Sequence, residues 1–152
     1  MVAEHGRMLV RLAATRLDSV ADAEDAVQDV FCTVVEKKLV FADPDHERAW
    51  LIRATLNRAS DLRRRAARRN LPLDEAQYAP DSADDAIRRG REMLACLRRL
   101  PEKYASVLHL HYYEGYSLQE IGALLGVPAA TAGTRLARGR KRLKALIEED
   151  ER

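Results

Sequence analysis

The sequence predicts an all-α fold: two small helical domains, a three-helix bundle and a helix-turn-helix domain, joined by an acidic linker. Three observations predict it. Apolar residues recur at helical spacing through nearly every segment, proline and glycine fall between those segments, and charge alternates in blocks along the chain. The 152 residues are 47% apolar and 33% charged but only 5% aromatic, so any core must be built from Leu, Val, Ile and Ala.

The elements follow in order. Residues 6–17 carry Leu9, Leu12, Ala13 and Leu17 on one side, the stripe of an amphipathic helix. Residues 22–38 repeat it, with Val27, Val30, Phe31, Val34 and Val35 inward and Asp25, Gln28, Asp29 and Glu36 outward. Asp43-Pro44-Asp45 breaks the run, because proline disfavours helix at the residue before it. A third helix is expected from about Glu47 to Arg69, apolar at Trp50, Ala54 and Leu62. These three make up a domain over residues 1–69. Residues 70–81 hold two prolines and three acids with little periodicity, the composition of a linker. The second domain, 82–152, begins with a capping box at Ser82 and Asp85 and a helix to about Arg99. Pro101 suits the first position of the next helix, which reaches about Tyr113. Ser117 and Glu120 form a second capping box, Gly126-Val127-Pro128 a tight turn, and residues 129–147 a basic helix with Ala132, Leu136, Leu143 and Ile147 inward.

The net charge of +2 conceals strong segregation. Residues 48–69 carry eight Arg against Asp61 alone, and residues 135–147 carry six basic groups and no acid. Residues 1–47 are net −5, and residues 70–87 contain five acids and no base. Two separated cationic blocks fit two phosphate-binding surfaces, or else two solvated helix faces. Neither a membrane span nor a signal peptide is indicated, so membrane insertion is not expected and a cytoplasmic location is. Cys32 and Cys96 are far apart and form no metal-binding pair. His109 and His111 are two residues apart, not the four that a helical metal site needs, and no catalytic set or nucleotide-binding fingerprint is present. The sequence therefore predicts no metal, no cofactor and no enzyme activity.

A short capped helix, a glycine-centred turn and a longer basic helix make a helix-turn-helix, whose second helix has the dimensions to enter a major groove; the competing reading is a helical hairpin with a solvated basic face. The segments 97–108, 113–122 and 125–128, followed by Arg135-Leu-Ala-Arg-Gly-Arg-Lys-Arg-Leu143, resemble the fourth conserved region of bacterial sigma factors. Asp22-Ala-Glu-Asp-Ala-Val-Gln-Asp-Val-Phe31 resembles the second conserved region, and 49–65 is similar to that region's promoter-recognition end. The ordered pair, with nothing else in the chain, resembles the extracytoplasmic-function (ECF) group.

The resemblance implies a transcription initiation factor that binds core RNA polymerase and directs it to promoter DNA. On that reading Asp22, Glu24, Asp25, Gln28 and Asp29 face the Arg-rich clamp coiled coil of the polymerase, although Asp22 and Glu24 equally suit a helix start. The −10 element falls to Phe41, Asn57, Arg58, Arg64, Arg65 and Arg68, with Arg63 and Arg69 adding phosphate contacts. Asn57 and the loop 40–46 match where the family captures a flipped base, while Trp50 fits core better than stacking platform. The −35 element falls to Ser117, Thr131, Thr134, Arg135, Arg138 and Arg142. Gly133 stands where a basic residue is common, which predicts a weaker −35 grip or a helix ordered partly by DNA. The acids of the linker mimic a transcript's charge or simply keep a spacer soluble. The family is commonly held inactive by an anti-sigma factor. Two other classes compete: a stand-alone helix-turn-helix regulator, which leaves residues 22–69 unexplained, and a helical adaptor that never touches DNA.

Overall fold

The computed structural model describes residues 2–69 and 85–151. Among them are seven α-helices and no strand: α1 (Val2–Ala13), α2 (Val20–Glu36), α3 (Pro44–Arg68), α4 (Asp85–Arg99), α5 (Glu102–Leu108), α6 (Leu118–Leu125) and α7 (Ala129–Asp150). A π-helical turn, His109–Tyr113, follows α5 directly. The predicted linker 70–81 and the Ser82 cap lie outside the described residues.

The first three helices pack on one another as expected, with their ends displaced. α1 begins before residue 6 and stops at Ala13, where Thr15 Oγ1 donates to Leu12 O at 2.6 Å. Leu9, Leu12, Ala13 and Leu17 are all buried. α2 is capped by Ser19, whose hydroxyl accepts from Asp22 N–H. Its inward side is Ala23, Ala26, Val27, Val30 and Val34, but Val35 is 74% exposed. Val34 already fills the core position, and the next residue points about 100° away. α3 starts at Pro44, three residues earlier than expected, because proline suits the first helical turn, where its missing N–H costs nothing. Asp43 caps it, accepting from His46 N–H at 2.7 Å.

The expected stripe on α3 is also rotated. Ala49, Ile52, Leu56 and Ala59 face the core with Leu51, Thr55 and Ser60, leaving Trp50, Ala54 and Leu62 half-buried on the flank. Leu51, Ile52 and Leu56 fill the core there, while the small Ala49, Ala59 and Ser60 take up the positions between them.

In the second half Pro101 is the cap of α5 and not its first residue, with ψ 138°. Ser117 and Glu120 make both bonds of a capping box, at 3.1 and 3.0 Å. Two glycines shape the turn that follows. Gly126 ends α6 at φ +73°, a left-handed conformation that favours glycine. A Cβ on Gly122 would stand 2.7 Å from Val127 O, so only glycine lets the returning backbone pass. α5, α6 and α7 then pack together, and α7 runs as continuous α-helix through Gly133.

The two halves are in contact. α6 packs on α3, and the buried apolar residues of both halves form one continuous cluster.

Candidate nucleic-acid interface

Thr131, Thr134, Arg135, Arg138 and Arg142 recur at i, i+3, i+4, i+7 and i+11, so α7 carries them on one stripe. Ala132, Leu136 and Gly139 occupy its buried side. Thr134, Arg138 and Arg142 are exposed; Thr131 and Arg135 are half-buried. Thr134 Oγ1 donates to Ala130 O at 3.0 Å, and the Arg142 guanidinium lies over the Tyr104 ring at 5.1 Å. Ser117 accepts from Glu120 N–H in the capping box, which also holds the Glu120 carboxyl below its usual range through hydrogen bonds from Ser117. Small residues at 129, 130, 132 and 133 keep the start of α7 low, as close approach to a groove requires.

On α3, Arg64 and Arg68 are exposed and form no ion pair among the described residues. Arg65 reaches Asp61 at 3.3 Å, a surface contact that phosphate can replace. Arg58 is more firmly engaged. Its Nε donates to Asp29 Oδ2 and one terminal nitrogen to Asp61 Oδ2, both at 2.9 Å, so it ties α3 to α2. Two residues assigned by sequence to different surfaces, Arg58 and Asp29, are thus partners. Arg63, expected on phosphate, donates to Arg98 O instead. Asn57 is exposed. Phe41 packs against His46 and Trp50, with ring centroids 5.5 and 5.6 Å apart, and both Phe41 and Trp50 rest on the core. Asp22, Glu24, Asp25, Gln28 and Asp29 all lie exposed on α2.

Sequence reasoning missed a third group, which lies between the halves. The Arg16 guanidinium donates to Leu56 O at 2.7 Å, Ser60 Oγ at 2.6 Å and Ser106 Oγ at 2.7 Å. Its Nε lies 3.1 Å from Glu102 Oε2, an ion-pair distance without hydrogen-bond alignment. Burial pushes Arg16 below its usual value against the pull of Glu102, and the charges of Arg63 and Arg64 add to that push. Ser60 also donates to Glu102. At the other side Arg11 forms a bidentate pair with Glu114, at 3.1 and 2.9 Å, and His109 Nε2 lies 2.8 Å from the same carboxylate. Burial alone would raise the Glu114 carboxyl, but the hydrogen bonds and charges of His109 and Arg11 hold it down at about 2. Arg98 Nε donates to Ala14 O at 2.8 Å. Beside these contacts is a cavity of about 500 Å³ whose lining includes Arg53, Asn57, Lys103 and Arg135. Most of these partners are 35 to 103 residues apart in sequence, where periodicity carries no signal.

Among the described residues no cluster of His, Cys, Asp or Glu could hold a metal ion, and no helix is long and apolar enough to cross a membrane.

Comparison with known proteins agrees with this geometry. Residues 1–69 match the family described as Sigma-70 region 2, and residues 90–143 match Sigma-70, region 4. The chain is 32% identical over 155 residues to the ECF RNA polymerase sigma factor SigE of Mycolicibacterium smegmatis, covering 97% of this chain and 60% of that protein. It is 30% identical over 154 residues to the ECF RNA polymerase sigma factor SigL of Mycobacterium tuberculosis, covering 96% of this chain and 86% of SigL. CnrH, solved in complex with the cytosolic domain of CnrY, superposes with a TM-score of 0.70 at 30% identity, over 98% of this chain and 86% of that one. The sigma factor RpoE of Bartonella quintana, solved with the anti-sigma factor NepR, shares the fold with a TM-score of 0.71 at 21% identity, over 97% and 94%. With both sigma regions present in order and an ECF relative matched along most of its length, the chain belongs to the ECF group of RNA polymerase sigma factors.

Proposed function

We propose that the chain binds core RNA polymerase and directs it to promoters, with residues 1–69 reading the −10 element, residues 82–152 reading the −35 element, and residues 70–81 linking them. The observation that carries this is the Thr131/Thr134/Arg135/Arg138/Arg142 stripe on α7, exposed at Thr134, Arg138 and Arg142 and set behind a capped α6 and a glycine turn. Hydroxyls and guanidinium groups so placed can reach base edges and phosphates of one major groove, with Ser117 at the start of α6 beside them. Arg64, Arg65 and Arg68 supply backbone charge neutralisation at the −10 element, and Asn57 with Phe41 supplies the surface for an unpaired base. Arg58 acts there through its hold on Asp29 and Asp61, which fixes α3 against α2.

The exposed acids of α2 dock on the basic clamp helices of the polymerase. Asp22, Glu24, Asp25 and Gln28 carry that contact directly, and Asp29 shares its charge with Arg58. The factor works in the cytoplasm without catalysis of its own, and an anti-sigma factor is the expected inhibitor, as NepR is a partner of RpoE. Core polymerase mixed with the chain and a promoter library should yield run-off transcripts. Asp25→Lys should abolish both co-purification and transcription. Transcripts at the parental level from that variant would refute the docking surface.

A further inference from the structure

We infer that the cavity between α3 and α5–α7 is a binding site for a small polyphosphate anion, recognised through its phosphate chain. At about 500 Å³ it falls within the usual size range of small-molecule sites. A space of that volume is about 10 Å across, less than the ~12 Å width of the DNA major groove alone, so a duplex cannot enter it. A run of two or three phosphates can.

The lining carries four cations, Arg16, Arg53, Lys103 and Arg135, against the one carboxylate of Glu102. That carboxylate is already engaged: it lies 3.1 Å from Arg16 Nε and accepts from Ser60 Oγ. Arg16, with a side chain only 9% exposed, gives its terminal nitrogens to Leu56 O, Ser60 and Ser106. The other three cations have no carboxylate among the described residues. Arg53 donates to Ala49 O of its own helix at 3.3 Å, and the Lys103 ammonium lies over the Tyr104 ring at 5.2 Å. Arg135 forms no hydrogen bond or ion pair, and neither does the side-chain amide of Asn57. Arg53 comes from the first half of the chain, Lys103 and Arg135 from the second. Arg11, by contrast, is matched with Glu114 where the halves meet. Like charges left around one space repel one another, and a multivalent anion placed among them turns that repulsion into charge-assisted hydrogen bonds.

The lining favours a phosphate chain over a nucleobase. Among the described residues no aromatic ring reaches the cavity, and its apolar lining is Leu56 and Leu125, which leaves no platform for stacking. Inorganic triphosphate and a nucleoside triphosphate should therefore bind alike. Asn57 and Arg135 are the groups assigned above to the −10 and −35 elements, so a bound polyphosphate occupies side chains that promoter DNA also uses. That consequence rests on those assignments; the site itself does not.

Isothermal titration calorimetry of the full chain with sodium triphosphate, free of divalent metal and at about 0.15 M salt, tests the site. Triphosphate should bind saturably at one equivalent, ATP should bind with similar affinity, and sulfate at matched ionic strength should give no saturable heat. Arg53→Gln and Lys103→Gln, one from each half and both at exposed positions, should each weaken triphosphate binding about tenfold, the loss of one charge-assisted contact. Their helical circular dichroism should stay at the parental level. Arg140→Gln, which removes an exposed cation of α7 outside the cavity lining, should bind as the parent does. Absence of saturable binding overturns the site. So does sulfate binding as tightly, or Arg140→Gln weakening binding as much as the other two, because either outcome means adventitious attraction to a basic surface. A loss confined to one of the two cavity variants overturns a site shared by both halves, and ATP binding far more tightly than triphosphate overturns recognition through the phosphate chain. Run-off transcription with core polymerase reports on the promoter assignments separately, so the two readings fail independently.

Discussion

At the residue scale, the chain spends several of its arginines on its own fold. Composition counts Arg11, Arg16, Arg58 and Arg63 as cations, yet each is engaged by a carboxylate or a carbonyl within the molecule. Glu114 shows what such pairing does. Its carboxyl titrates at about 2, below the ordinary value of 4.5, so its contribution to stability is complete above pH 4.5 and is lost as pH falls toward 2. Glu114→Gln should lower stability near neutral pH by about 1–3 kcal/mol, intermediate between exposed and buried pairs because Arg11 reaches solvent. Denaturant titrations at pH 7 and pH 3 check this: the parent should lose more stability between them than the variant does. None of these pairings was legible in the sequence, since nothing local distinguishes Arg11 from Arg7 or Arg16 from Arg53.

Elements were more legible, apart from some helix ends and one helix face. Helix periodicity, the Ser117–Glu120 box and the Gly126 turn could all be read because caps and turns are decided within a few residues. The inward face of α3 could not, because apolar residues at 50, 51 and 52 in succession leave the rotation of the helix open, and the face that is buried, Ile52, Leu56 and Ala59, is set by packing on α1 and α2. The turn between α6 and α7 predicts a contrast between two glycines. Gly122→Ala should destabilise by about 1–3 kcal/mol, since its Cβ meets rigid backbone at Val127 O. Gly133→Ala should stabilise by up to about 1 kcal/mol, because its Cβ meets only Leu118 Cδ1 at an ordinary 3.6 Å and the helix already runs through it. Thermal unfolding of the two variants should move in opposite directions. Gly133 is thus compatible with an ordered free helix, and the weaker −35 grip expected of it comes down to a missing side chain.

For the whole molecule, alternating charge blocks suggest separate working surfaces but say nothing of how the halves meet. That arrangement depends on contacts spanning up to 103 residues, for which a single sequence holds no local evidence. The surfaces make a measurable prediction. If Arg64 and Arg68 each hold a phosphate, replacing either with alanine should weaken promoter binding by the holoenzyme and flatten the plot of log affinity against log salt by about 0.7–0.9 per residue. Replacing Arg58 should give a different pattern: unfolding at a lower temperature, because its partners are Asp29 and Asp61.

The π-helical turn at His109–Tyr113 sets a constraint of another kind. Its wide winding lets Glu114 N–H bond back to His109 O and brings the Glu114 carboxylate against the His109 ring. Removing one residue would replace the five-residue turn by one of ordinary winding, in which the Glu114 N–H no longer bonds back to His109 O. Glu114 would then lose its placement between the Arg11 guanidinium and the His109 ring. Over these five positions the number of residues is constrained as well as the buried side chains of His109 and Leu110.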